Sequence, residues 1–203
     1  MKTVTGVRVV LADYGAGNLR SVCAALARAG ASPEISTDPA AVREAPLAVI
    51  AGVGHLESAA RGLAPLADAL RERAASGRPV LGICVGMQLL FEESEEGGRG
   101  LGLLAGPVRR LRARRVPHMG WNTLALTGPS ALLDGLDGAD VYFAHSYAAE
   151  PAGTSGVAEV DHDGTLVAAV ESGSLAGLQF HPERSGAAGA RVLENALRWS
   201  RSA

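Results

Sequence analysis

Cysteine is scarce in this chain: Cys23 and Cys84 are the only two among 203 residues. Two thiols cannot build a disulfide framework, and a reducing compartment suits a free reactive thiol. Lysine is scarcer still, with Lys2 alone among nineteen basic residues, which we read as codon bias. No apolar stretch approaches the roughly 18 residues of a membrane span. The N-terminus runs from Met1-Lys2-Thr3 into Val7-Arg8-Val9-Val10-Leu11, a strand pattern rather than a signal peptide, so we expect a cytoplasmic protein. Charge of one sign is also lacking. A net charge of -2 argues against a general binder of nucleic acid or anionic membranes. The arginine cluster at 109, 110, 112, 114 and 115 has no interleaved aromatics and no nucleic-acid motif, so it reads as a solvated face or partner surface.

What is present is ample material for a core: 47% hydrophobic residues and 20% charged ones, in a length that suits a single domain over 1–203. Short apolar runs alternate with helical patterns in the first half, which predicts an α/β fold with a mostly parallel sheet flanked by helices. Val7–Ala12 reads as a strand and Leu19–Ala29 as a helix closed by Gly30. Pro33–Ile35 is a weak strand, and Asp38-Pro39 looks like an N-cap followed by proline at the first helical position. Leu47–Ile50 is a third strand. A helix from Ser58 to Ala75 follows, disturbed near Pro65, and the fourth strand leads to Cys84. From Leu101 the pattern shortens into strands at 108–111, 124–127, 141–144, 157–161, 166–171 and 175–180, several of them antiparallel, before a final helix over 187–200. The acidic run Glu92, Glu93, Glu95 and Glu96 reads as a solvated helix end and loop.

Cys84 is the most informative residue. It follows the apolar Pro79-Val80-Leu81 and precedes the helix-like Met87–Phe91, with Gly82 and Gly86 two positions to either side. A strand that stops and a helix that starts around one residue force a tight turn, and glycines leave room for it. A thiol at a helix N-terminus has a pKa lowered from about 8.5, so that the nucleophilic thiolate is populated. The bland alternative is a buried structural cysteine. That is the reading we give Cys23, which lies in the helical run Val22-Cys23-Ala24-Ala25-Leu26.

A thiolate nucleophile needs a proton carrier. Gln179-Phe180-His181-Pro182-Glu183 follows a strand, so His181 also emerges at a strand end, with Glu183 two residues on to fix its tautomer. After the third strand, Ala51-Gly52-Val53-Gly54 can present backbone N–H groups to an oxyanion beside the N–H of Val85. The loop Asp13–Asn18 is glycine-rich but lacks a Walker lysine and the dinucleotide glycine spacing, so it is not read as a phosphate site. His118 and His145 read as structural histidines, and His55 and His162 as loop residues outside the chemistry.

Together, Gly-Ile-Cys-Val-Gly-Met-Gln-Leu-Leu-Phe at 82–91 and Gln-Phe-His-Pro-Glu at 179–183 resemble class I glutamine amidotransferases of the Cys-His-Glu type. Asp-Tyr-Gly-Ala-Gly-Asn at 13–18, Pro-His-Met-Gly-Trp-Asn at 117–122 and Tyr-Phe-Ala-His-Ser-Tyr at 142–147 extend the resemblance to the glutaminase subunits of imidazole glycerol phosphate synthases. The resemblance implies glutamine hydrolysis by Cys84, His181 and Glu183. It implies Gly52, Val53, Gly54, Val85, Gln88, Ser146 and Tyr147 for the oxyanion and substrate. It implies Asn18, Trp121, Asn122, Tyr142 and Arg184 for the interface or gate toward a (β/α)8-barrel cyclase, in a heterodimer without metal or organic cofactor.

The chain departs from the usual family pattern at Ala51, where proline is common, at His55 and Leu56, where alanine and phenylalanine are common, and at Arg184, where lysine is common. Alanine does not fix φ as proline does, so a freer oxyanion loop is expected. Three alternatives stay open on sequence. They are a glutaminase serving another synthase (anthranilate, aminobenzoate or pyridoxal phosphate), a catalytically silent binding module on the same fold, and a cysteine peptidase.

Overall fold

The computed structural model describes residues 6–153 and 156–202. Its first half runs β1 (Val7–Ala12), α1 (Leu19–Arg28), β2 (Ala31–Ser36), α2 (Pro39–Glu44), β3 (Leu47–Gly52), α3 (Leu56–Ala75) and β4 (Val80–Cys84). The predicted punctuation operates as read: Gly30 follows α1 at φ +93, and the Asp38 carboxylate accepts the Ala40 N–H at 2.9 Å. Every residue of β3 and β4 is buried, the condition for continuous apolar strands in a sheet covered on both faces.

Strand order explains the two helix layers. The crossover from β1 to β2 moves one way along the sheet, whereas those from β2 to β3 and from β3 to β4 move the other way. Right-handed crossovers of opposite direction lie on opposite faces. Hence α1 covers one face, and α2 packs with α3 on the other.

Two helices differ from the sequence pattern. α3 is continuous through Pro65 because that residue is exposed, and the carbonyl it leaves unpaired can reach water. The helix expected at Met87–Phe91 is instead α4 (Val85–Gln88), a single turn. Beyond it the chain bends, because the carbonyls of Leu89, Leu90 and Phe91 accept N–H groups from the returning loop at Leu101, Leu103 and Gly102.

The second half contains β5 (Glu93–Ser94), β6 (Pro107–Arg110), β7 (His118–Thr123), β8 (Ala125–Leu126), β9 (Asp140–His145) and β10 (Tyr147–Ala149). β11 (Gly156–Asp161), β12 (Thr165–Ser172), β13 (Leu175–Leu178), a 3-10 turn at Pro182–Arg184 and α5 (Gly186–Trp199) complete it. The main sheet has the order β2-β1-β3-β4-β13-β12-β11-β8, with the first five strands parallel and the last three antiparallel. β10, β6 and β5 form a small second sheet, and β7 pairs antiparallel with β9. Neither β7 nor β10 stood out in sequence. β7 carries Gly120 and polar residues at both ends, and β10 is only three residues long.

Register places the site. Gly52 on β3 lies opposite Cys84 on β4, and Ile83 lies opposite Leu178 on β13. Three adjacent parallel strands therefore deliver Gly52, Cys84 and the 179–183 segment to one carboxyl edge, where sheets of this kind bind ligands.

Candidate active site

Cys84 sits at φ 54 and ψ -112, a conformation that L residues avoid and that costs about 1–3 kcal/mol. Its neighbours make that strain sustainable. A Cβ on Gly82 would stand 2.6 Å from the Met87 nitrogen, and one on Gly86 would collide with the Ile50 carbonyl. The glycine spacing visible in the sequence is thus a steric requirement of the turn. Because α4 is one turn long, the dipole behind Cys84 is that of a single turn rather than of the longer helix expected.

His181 is buried, and its Nδ1–H donates to Glu183 Oε1 at 3.0 Å. That bond leaves Nε2 to face Cys84. Burial works against a charge on the ring, but hydrogen bonding and charge from Cys84 and Glu183 outweigh it and raise the His181 pKa. The segment is pinned to β9, with the His181 N–H donating to the Tyr142 carbonyl at 2.8 Å and the Ser185 hydroxyl donating to the His181 carbonyl at 2.6 Å. The 3-10 turn over Pro182–Arg184 brings Glu183 under its histidine.

A cleft of about 430 Å³ opens above the thiol. Cys84, Val85 and Gln88 line one part of it, Val53 and Gly54 another, and Ser146 and Tyr147 a third. Gly52 lies beneath, where a Cβ would stand 2.5 Å from the Tyr14 hydroxyl and 2.9 Å from Val85 Cβ. Tyr14, which the sequence did not single out, donates to the Ala51 carbonyl at 2.8 Å. Ala51 is also paired with Ile83 in the sheet, so both strand pairing and the Tyr14 hydroxyl hold it without proline.

Gln179 opens the 179–183 motif, where spacing alone assigns it no role. Register puts it next to Cys84, and its Nε2 lies 3.8 Å from the sulfur as a donor, while its Oε1 accepts from Gln88 Nε2 at 3.0 Å. The pairing of Leu178 with Ile83 is the signal that locates it, and that pairing is invisible in a linear chain.

The acidic run is not simply solvated. Glu95 bonds Arg109 and the Arg110 N–H, whereas Glu96 accepts the Leu56 N–H at 2.7 Å, serving the start of α3. Its other oxygen pairs with His55 Nδ1 at 3.1 Å, so His55 belongs to the cleft lining rather than to an idle loop. Elsewhere in the arginine cluster, Arg114 is paired with Asp163.

Trp121, Tyr142 and Arg184 come together at the surface. The Trp121 and Tyr142 rings meet edge to face at 6.0 Å, and the Arg184 guanidinium lies 4.6 Å from the Tyr142 ring centre. Trp121 and its strand neighbour Met119 are 58% and 65% exposed, which marks an unpartnered apolar patch. Asn122 points the other way, to the Asp161 carbonyl at 2.8 Å. Asn18 is separate from this cluster and stands exposed at the start of α1 with its side chain making no cap.

His118 and His145 are buried and face each other at 3.0 Å. Burial pushes their pKa values down to about 4 and about 3. Below the ordinary histidine value of about 6.5 the unfolded chain binds protons that the folded chain refuses, so stability rises with pH through this window. The thermal midpoint is expected to fall between pH 6.5 and pH 4, and a His118→Asn variant should show a shallower fall. His181, with its raised pKa, has the opposite sign and acts above the ordinary value. An equally steep acid dependence in the variant would refute this assignment.

Geometry of this kind, a strained cysteine beside a carboxylate-anchored histidine at a sheet edge, defines enzymes that carry an acyl group on a thiol. The chain belongs to the class I glutamine amidotransferase family, whose profile matches residues 10–199, and within it to the HisH subunits of imidazole glycerol phosphate synthase. The HisH subunit of Mycolicibacterium paratuberculosis is 46% identical over 202 residues, covering 95% of this chain and 98% of the relative. That of Halobacterium salinarum is 45% identical over 201 residues, covering 94% and 92%. A solved structure described as a glutamine amidotransferase superposes with a TM-score of 0.78 at 21% identity, covering 97% of this chain and 100% of the other. PurLQS from Thermotoga maritima gives 0.74 at 21% identity, covering 96% and 99%. These two likenesses speak for the fold alone.

Proposed function

We propose that this chain, as the glutamine amidotransferase subunit of imidazole glycerol phosphate synthase in histidine biosynthesis, hydrolyses L-glutamine to L-glutamate and ammonia with Cys84, His181 and Glu183 as its triad. The observation that carries the reading is the strand register that sets the strained Cys84 beside a buried His181–Glu183 pair. The Cys84 thiolate attacks the side-chain amide carbon. The oxyanion is received by the Val85 N–H and by N–H groups of the Gly52–Gly54 loop, where loss of one donor typically costs about a hundred- to a thousandfold in rate. His181, protonated at Nε2, hands that proton to the departing ammonia. A thioester remains. His181 then takes a proton from water, which attacks the thioester, and glutamate leaves as the thiolate reforms. Glu183 holds the imidazole tautomer throughout.

The cleft suits a free amino acid. Glu96 supplies a carboxylate for the α-ammonium group and Arg110 a guanidinium for the α-carboxylate. Gln88, Ser146 and Tyr147 border the same space and complete the substrate contacts. No step consumes a metal or organic cofactor.

The ammonia passes to a (β/α)8-barrel cyclase, which uses it to form imidazole glycerol phosphate and aminoimidazole carboxamide ribonucleotide. Trp121, Tyr142 and Arg184 form the face toward that partner in a heterodimer; Asn18 stands apart from them, and Asn122 braces β7 from its other side through the Asp161 carbonyl. Under this reading the reaction takes place in the cytoplasm, where reducing conditions keep Cys84 a free thiol. Among the described residues no helix is long and apolar enough to cross a membrane.

Co-purification with a candidate cyclase, followed by glutaminase assays with and without the cyclase and its nucleotide ligand, tests the proposal. Stable association and partner-dependent release of glutamate are expected. Ammonia delivered to a different synthase, with no affinity for such a barrel, would sink the pathway assignment while leaving the chemistry in place.

A further inference from the structure

We propose that the buried His118–His145 pair is a positioning element of the glutamine cleft, fixing the Tyr147 carbonyl that orients Gln88 and, through Gln88, sets Gln179 beside the Cys84 sulfur. The proposal rests on the glutaminase reading above. Its starting point is a carbonyl, which can only accept. His145 Nδ1 lies 2.8 Å from the Tyr147 carbonyl oxygen, so Nδ1 carries the proton. In the neutral ring Nε2 is then bare, and it must accept from His118 Nδ1 at 3.0 Å. His118 Nε2 accepts in turn from Asn122 Nδ2 at 3.3 Å, and the same amide donates to the Asp161 carbonyl at 2.8 Å. One tautomer of each ring satisfies every contact. A second proton on His145 would set two N–H groups against each other at 3.0 Å, and one on His118 would set its Nε2–H against the Asn122 amide N–H at 3.3 Å.

The Tyr147 carbonyl has a second lone pair, and Gln88 Nε2 donates to it at 2.8 Å. The other Gln88 N–H goes to Gln179 Oε1 at 3.0 Å. Both Gln88 donors are therefore engaged by protein, which leaves Oε1 as the group of that amide available to a donor on the substrate. Gln179, held by the bond it accepts, turns its own N–H toward Cys84 Sγ at 3.8 Å. The relay thus runs from β7 at the surface, through two imidazoles, to the backbone of the cleft and the nucleophile. Packing keeps the pair in place: Phe143 stacks on His118 at 4.5 Å, and His162 stacks on it at 4.1 Å. The titratable groups facing the pair are His162, from the turn after β11, and His181, from the segment after β13. Charge on either histidine disfavours charge on the pair, as burial does.

Substitutions at His145 separate positioning from general stability, since asparagine places an N–H near the Nδ1 position and glutamine places one near Nε2. In the complex with the cyclase, His145→Gln is expected to raise the KM for glutamine by about tenfold with a smaller change in kcat, the size expected when one buried hydrogen bond is lost. His145→Asn should restore KM to within about threefold of the native value. Thermal midpoints of both variants, measured alongside, show that each is folded. If His145→Gln destabilises the chain, His118→Gln, which removes the Nδ1 donor to His145, should give the same rise in KM with the same rescue by His118→Asn. Native KM in a folded His145→Gln enzyme would overturn the proposal. A native complex that hydrolyses no glutamine would overturn the glutaminase reading beneath it, and the proposal with it.

Discussion

Replacing Cys84 by alanine is expected to lower glutamine-dependent turnover by at least about 10⁴-fold, the scale on which removal of a covalent nucleophile acts. Under the proposed function, synthesis by the cyclase from added ammonia should persist, because the thiol would then serve only the release of ammonia. The backbone separates loss of chemistry from loss of fold. Alanine at φ 54 inherits the strain that cysteine bears, so the alanine variant should unfold at nearly the native midpoint. Glycine tolerates that conformation, and Cys84→Gly should be equally inactive yet more stable, by about 1–2 kcal/mol after its larger unfolded-state entropy is subtracted. Glutamate release and thermal unfolding, measured on all three proteins, decide the matter. Retained glutamine-dependent turnover in Cys84→Ala would show that another residue is the nucleophile.

The largest effect on stability is expected far from the thiol, at Arg73. Its side chain is wholly buried on α3, and the guanidinium donates to the carbonyls of Pro79 at 2.9 Å and of Val42, Arg43 and Pro46 at 3.0 Å. These carbonyls belong to the C-terminal part of α2 and to the segments that lead into β3 and β4. Burial lowers the Arg73 pKa to about 10, with the neighbouring Arg78 adding to the shift, so the group is still charged at neutral pH and draws its compensation from those four oxygens. Arg73→Ala strands the acceptors and leaves a void. A loss of about 3–5 kcal/mol is expected, a large share of the roughly 5–15 kcal/mol that holds a domain together. Lysine has one nitrogen where arginine has three, so Arg73→Lys should restore only part of the loss. Urea unfolding measures both variants, and a shift below about 1 kcal/mol for alanine would refute the account.

Arg73 also shows where sequence reading stops. In the linear chain it is one of many arginines on a helix, beside Arg71, and nothing in the spacing marks it as buried. Its partners lie up to thirty-one positions away and meet it only when α2 packs on α3. Cys84 is the opposite case. The collision that Gly82 avoids involves the turn itself, so that requirement is written within five residues, whereas the one that Gly86 avoids involves the Ile50 carbonyl on the adjacent strand. Glu96 and His55 fall between these extremes. Each was visible as a charged or titratable residue, but their pairing depends on the loop after β5 folding back to the start of α3.

From sequence alone came the alternation of strands and helices, the turn at Cys84, the His181–Glu183 partnership and the family likeness. These follow from local rules: apolar periodicity, glycine sterics and two-residue spacing. Tertiary structure alone decided that Gly52, Cys84 and Gln179 stand abreast, that Tyr14 holds the Ala51 carbonyl, and that His118 and His145 meet nitrogen to nitrogen at 3.0 Å. The physical reason is that hydrogen bonds between side chains and distant carbonyls are specified by strand register and loop return, and these arise from burial of the whole core rather than from any short run of residues.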